Sequence, residues 1–161
     1  MAEDKKKKKN FASFNKKQAF KQLNLTDLMP WKIEAQPIQP SDFFQKRLER
    51  LQRFDLEGYE ESKKLLIDAI CEEALEGCEK LKIWKGAALE TDVTSGNVDY
   101  LIAERKRYLE APFLCIVEAK KDDFEQGLAQ CLVEMQACQI QNRKIYSARS
   151  KTVLLREGQI W

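Results

Sequence analysis

Asp99, Glu118 and Lys120 are charged side chains set at the borders of apolar runs in the stretch from Asn97 to Lys120, NVDYLIAERKRYLEAPFLCIVEAK. Side chains alternate along a strand, so Glu118 and Lys120 project from one face, next to each other and in line with Leu114 and Ile116. Asp99 opens the preceding apolar run and shares its face with Leu101 and Ala103. If the two runs pair as neighbouring strands, Asp99 comes to lie beside Glu118. Two carboxylates that close repel, and a divalent cation is the usual resolution. Two carboxylates, a strand carbonyl such as that of Ala119, and waters suit Mg²⁺ or Mn²⁺. Such an ion lowers the pKa of bound water and neutralises a phosphoryl oxygen. Lys120 would orient the attacking water or stabilise the developing negative charge. The plainer alternative is an exposed Glu118–Lys120 ion pair at a strand end.

The elements that must position these groups follow from periodicity. A helix is expected from about Tyr59 to Glu79, with Leu66, Ala69, Ile70, Ala74 and Gly77 along one face. Glu73 falls inside that stripe, so it either snorkels at the edge or points at something. Three strands follow: Leu81–Leu89, Val98–Ala103 and Phe113–Ala119. The turn-rich Thr91–Asn97 joins the first two, and the charged 104–112 segment the last two. Phe113–Val117 lacks alternation, which predicts a central strand buried on both faces. Asp122 or Asp123 then caps a helix to about Gln139, whose N-terminus could meet a phosphate, with Gln126 and Gln130 one turn apart on it. Lys144–Ala148 and Thr152–Leu155 are weaker strand candidates, and Glu157–Gly158 is a turn candidate. The expected fold is α/β, with a central mixed sheet whose first three strands are antiparallel, flanked by helices.

Ahead of this core, residues 1–20 are expected to be a mobile Lys-rich tail. Residues 21–57 form an N-terminal arm, anchored by Trp31 and Ile33, and a peripheral helix from Ser41 to about Phe54. Residues 58–161 are then the core. Three prolines, Pro30, Pro37 and Pro40, keep the arm from regular structure.

Composition narrows the chemistry. The 161 residues contain no His, which removes Ser-His-Asp hydrolysis and His-based zinc sites or bases. The five Cys lack C-x-x-C spacing and predict reduced thiols. No apolar run reaches the roughly 20 residues of a membrane helix, and the N-terminus lacks the apolar segment of a secretory signal. A cytoplasmic protein without a membrane partner is expected. Residues 1–21 carry eight Lys against Glu3 and Asp4, a net +6 that leaves −4 for the remainder of a chain whose total is +2. The body is therefore not a basic clamp for nucleic acid.

With Gly96-Asn97-Val98-Asp99-Tyr100, then Val117-Glu118-Ala119-Lys120 closing an apolar strand, then a helix bearing Gln130, the chain resembles the PD-(D/E)XK nuclease superfamily. It is nearest to the branch of type I restriction-subunit N-terminal domains and related uncharacterised bacterial proteins. The resemblance covers about residues 59–146. It implies a restriction-endonuclease-like core and a Mg²⁺- or Mn²⁺-dependent endonuclease-type hydrolase cutting DNA phosphodiesters. On that resemblance Asp99 and Glu118 are metal ligands, Lys120 is the catalytic lysine, and Gln130 matches the glutamine of the helix after the motif. An acid from the first helix often joins such sites, Glu61 being the first choice and Glu73 the alternative. Where relatives often have Tyr four residues after that glutamine, this chain has Glu134. Relatives also continue from a strand like Lys144–Tyr146 into a hairpin, so the C-terminal end is expected to be altered or incomplete. A homodimer or a restriction or repair partner subunit fits the same resemblance. A catalytically inactive nuclease-fold module for nucleic-acid or protein binding is the alternative, and a structural domain with a surface ion pair is the third reading.

Overall fold

The computed structural model describes residues 7–30, 32–120 and 122–156, with side chains as far as Ser147. In chain order the elements are β1 (Lys9–Asn10), a short 3-10 turn (Phe11–Ser13), α1 (Lys16–Leu23), α2 (Asp42–Leu51) and α3 (Glu60–Ala74). They continue with β2 (Leu81–Glu90), β3 (Thr94–Glu104), β4 (Phe113–Val117) and α4 (Phe124–Arg156). The architecture is α/β, with four strands among the described residues forming one open mixed sheet.

β3 is the strand on which the sheet is built. β2 runs antiparallel to it from Leu81 opposite Glu104 to Glu90 opposite Ser95. That pairing fills one edge, so the remaining partners share the other. β4 pairs antiparallel with Tyr100–Ala103, and β1 pairs parallel with Thr94–Ser95. The tight turn between β2 and β3 is held by Thr91, whose Oγ1 accepts from the backbone N–H groups of Val93 and Thr94 at 3.2 and 3.0 Å. Opposite Asp99, β2 is interrupted at Gly86, which has φ +62° and is skipped in the ladder. Glycine takes that conformation without a Cβ penalty.

The core lies between this sheet and α4. Val98, Leu101 and Ala103 of β3 meet Ala129, Val133 and Ala137 of α4, with Leu89 and Phe113 alongside. The four-residue spacing of those small α4 side chains forms a stripe that lets helix and sheet approach closely. Asp123, not Asp122, caps the helix, its Oδ1 accepting from Gln126 N at 2.9 Å.

Several expectations need correction. Phe113–Val117 is not buried on both faces: Leu114 is 56% exposed, because β4 has β3 on one edge and no strand among the described residues on the other. The doubly buried strand is β3. At β4's start, the Asn142 carboxamide accepts from Phe113 N and donates to Phe113 O, both at 2.8 Å. The segments 144–148 and 152–155 are helical, since α4 runs on to Arg156. No Pro, and no Gly after Gly127, stands in that span to stop it. The turn expected at Glu157–Gly158 lies outside the described residues.

The N-terminal stretch also departs from expectation. Phe11 and Ala19 are fully buried and Phe14 nearly so, all three within the main core. The Lys5–Lys9 run dominates the composition there and hides three apolar side chains whose burial stabilises a docked segment. α1 is secured by a capping box between Asn15 and Gln18 and by Gln22 and Gln136, which bond to each other across the two helices. Phe11 lies against Gly96 so closely that a Cβ there would come within 2.7 Å of its ring. The arm, by contrast, is not anchored through Ile33, which is exposed, and Trp31 lies outside the described residues. Ser41 caps α2 as expected, accepting from Phe44 N at 3.1 Å. Among the described residues no helix is long and apolar enough to cross a membrane.

Candidate active site

The β3–β4 register sets Tyr100 opposite Val117, which carries Asp99 and Glu118 to adjacent places where β4 ends. Asp99 is held from two sides. Its Oδ2 accepts from Ala119 N at 3.0 Å, and its Oδ1 lies 2.9 Å from Lys64 Nζ, reaching in from α3. The first bond fixes the chain as it leaves β4 and so places Glu118 and Lys120.

Glu118 turns inward. Its side chain is only 3% exposed, and Lys120 Nζ meets its Oε1 at 2.7 Å. The other oxygen, Oε2, is buried with no hydrogen-bond partner. Burial pushes this carboxyl above the ordinary range, and the charge of Asp99 adds to the push against the pull of Lys120. Burial alone would lower the Lys120 ammonium, but the bond to Glu118 and the charges of Glu118, Glu60 and Asp99 outweigh it and raise it. Lys120 therefore stays protonated, a donor and a positive charge rather than a base.

Lys120 is positioned by α4. Gly127 faces the aliphatic stem of Lys120, and a Cβ on it would lie 2.9 Å from Lys120 Cγ. A side chain at 127 would push the lysine off its line to Glu118.

Beneath this layer, Gln130 and Glu134 are buried on α4, one turn apart. Gln130 Nε2 donates to Glu134 Oε1 at 2.9 Å, while Gln130 Oε1 and Glu134 Oε2 have no partner. Burial pushes Glu134 up to about 8, and Glu118 and Asp99 contribute to the shift. Below that value Glu134 mostly carries its proton and brings its own O–H donor into a neighbourhood of unpaired acceptor oxygens.

The structure thus brings Asp99, Glu118 and Lys120 together. Gln130 lies behind them, bonded to Glu134. Glu61 points outward, its side chain 82% exposed, and reaches Lys64 Nζ at 2.7 Å without meeting Glu118. Glu73 serves elsewhere: it accepts from Ser41 N and Ser41 Oγ at 2.7 and 2.8 Å, tying α2 to α3. Gln126 bonds Ala12 O and is likewise drawn away from the site. Two neighbours, Glu60 and Lys64, were missed, and Glu134 was noted only as the residue standing where relatives have Tyr. Glu60, not Glu61, acts on Lys120. Lys64 stands four residues after Glu60 and three after Glu61, a spacing that signals shared helix-surface contacts. Glu134 follows Gln130 by four and so shares its face.

Among the described residues no group of three or more Cys, Asp or Glu side chains gathers to hold a metal ion. The donor chemistry still suits a hard divalent cation. Asp99 and Glu118 adjoin, and the orphaned Glu118 Oε2 is a buried anionic oxygen lacking the donor it needs. Such an ion would meet two carboxylates, with waters completing its coordination.

No family model matches this chain, and no curated protein or solved structure matches it either.

Proposed function

We propose that this chain is a metal-dependent nuclease of the PD-(D/E)XK type that hydrolyses DNA phosphodiester bonds. The observation that carries the reading is the meeting of Asp99, Glu118 and Lys120 at the end of β4, with a buried Glu118 oxygen left unpaired. The restriction-endonuclease-like core belongs to the same reading, supported by a helix, three strands in two antiparallel pairings, and a helix.

Asp99 and Glu118 would hold Mg²⁺ or Mn²⁺. When bound, the ion supplies charge neutralisation at the phosphoryl group and a more acidic water. The chain's own residues do the rest. Ala119 N fixes Asp99, and Lys64 orients it from α3. Lys120, protonated and braced by Gly127, offers its N–H donors to the attacking water or to a non-bridging phosphate oxygen. In that position it stabilises the charge that builds in the transition state.

One observation favours the second reading, an inactive nuclease-fold module for nucleic-acid or protein binding. Both carboxylates already have lysine partners, Lys64 on Asp99 and Lys120 on Glu118, so the site is electrostatically satisfied in part without a cation. Plasmid nicking in Mg²⁺ or Mn²⁺ separates the two. The nuclease reading expects nicking that Lys120→Ala abolishes. Nicking unaffected by that substitution rules out the site, and absence of nicking by the wild type leaves the binding module.

A further inference from the structure

A cavity of about 410 Å³ opens directly beside the proposed catalytic pair, lined by Glu118, Lys120, Asp123, Phe124, Leu128 and Cys131. Its lining mixes two chemistries. One part is the Glu118 carboxylate, 3% exposed with a donorless Oε2, and Lys120. The other is largely apolar and includes Phe124, an aromatic ring on the first residue of α4 that is 77% exposed. Burial holds the Cys131 thiol up to about 11, so it lines the cavity as a neutral group.

We infer that this cavity receives an unpaired base of a single DNA strand, stacked on Phe124, while the neighbouring phosphate lies at Lys120. The inference rests on the nuclease reading and names its substrate class. Three observations select the base over other occupants. The cavity is continuous with the Glu118–Lys120 site, so whatever fills it is joined to the reacting phosphate. An exposed aromatic beside an apolar wall is the feature that binds unstacked bases without regard to sequence. Asp122, 3.8 Å from Lys63, and Asp123 also line the cavity, and their carboxylates disfavour a phosphate inside, leaving the neutral base as the part that enters. A paired base would have to leave its stack before entering, an expense a single strand avoids.

The test is fluorescence anisotropy of a labelled single-stranded oligonucleotide and of its duplex, with the full chain in Ca²⁺, an ion that also takes carboxylate oxygens. The wild type is expected to bind the single strand on the order of tenfold more tightly than the duplex. Phe124→Ala should weaken single-strand binding about tenfold and Phe124→Tyr should preserve it. Because Phe124 is exposed, neither change threatens the fold. Equal binding of both forms, no binding of either, or indifference to Phe124→Ala overturns the inference. Cleavage in Mn²⁺ is scored separately. Stacking without cleavage removes the nuclease reading and leaves the base site. Duplex cleavage indifferent to Phe124→Ala keeps the nuclease and removes the base site.

Discussion

Lys64 Nζ lies 2.9 Å from Asp99 Oδ1, so a cation from α3 already occupies one oxygen of the acid on β3. The same ammonium contacts Glu61 at 2.7 Å and Glu60 at 3.8 Å. Burial opposes its charge, but Glu61 and Asp99 together raise Lys64 well above the ordinary lysine value. It is a permanent charge at the rim of the proposed metal site, in competition with any ion that approaches Asp99.

Removing that competitor should therefore tighten metal binding. Lys64→Met is expected to bind Mn²⁺ roughly tenfold more tightly than the wild type, because the repulsion between two cations is lost while both carboxylates remain. Isothermal titration with Mn²⁺ measures it, and an unchanged or weaker affinity contradicts the competition.

Glu134 makes stability depend on pH. Its carboxyl is raised from 4.5 to about 8 on folding by burial, so between those values the folded chain binds more protons than the unfolded one. Stability then falls as pH rises from about 4.5 to about 8 and is fully present below that window. Glu118, shifted in the same direction by burial, acts with the same sign. Replacing Glu134 by Gln supplies a neutral side chain that can still bond Gln130. Urea unfolding should show the variant gaining on the order of 3 kcal/mol over the wild type above the window, and little below it. A variant with the wild type's pH profile would refute the assignment.

Gly127→Ala separates folding from chemistry. Alanine favours the helix by about 1 kcal/mol, yet its Cβ would sit 2.9 Å from Lys120 Cγ and force the lysine stem aside. The expected outcome is a thermal midpoint no lower than the wild type's, with nicking reduced about tenfold or more. Full activity in a stable Gly127→Ala protein would show that Lys120 tolerates displacement.

Phe11→Ala should behave as a core truncation. The ring is fully buried against Gly96 and the main cluster, so its loss is expected to cost about 3–5 kcal/mol. A change below about 1 kcal/mol in chemical denaturation would mean that the N-terminal stretch is detached in solution.

Much of this was legible in the residues. α3, the three strands of the hairpin region and the start of α4 follow from periodicity and capping, and strand alternation led directly to Glu118 beside Lys120. The adjacency of Asp99 and Glu118 needed only the assumption that their strands pair, which the Tyr100–Val117 register meets. What escaped was set by tertiary contact. β4's apolar run resembles a central strand, but burial depends on how many neighbours a strand has, and the run itself carries no record of that. Ile145 and Tyr146 favour strands locally, yet α4 had no stop signal and Ile145 packs against the core from within the helix. Lys64 was one lysine among many until α3 swung it over Asp99.

The parallel pairing of Lys9 with Thr94 has a bearing on how the chain is made. A ribosome releases Lys9 and Phe11 long before it has polymerised Thr94 and Gly96, the positions that receive them. The earlier segment must therefore wait, unpaired, until its partner strand has been translated. Its lysines keep those waiting phenylalanines in water, so residues made early reach their native place late.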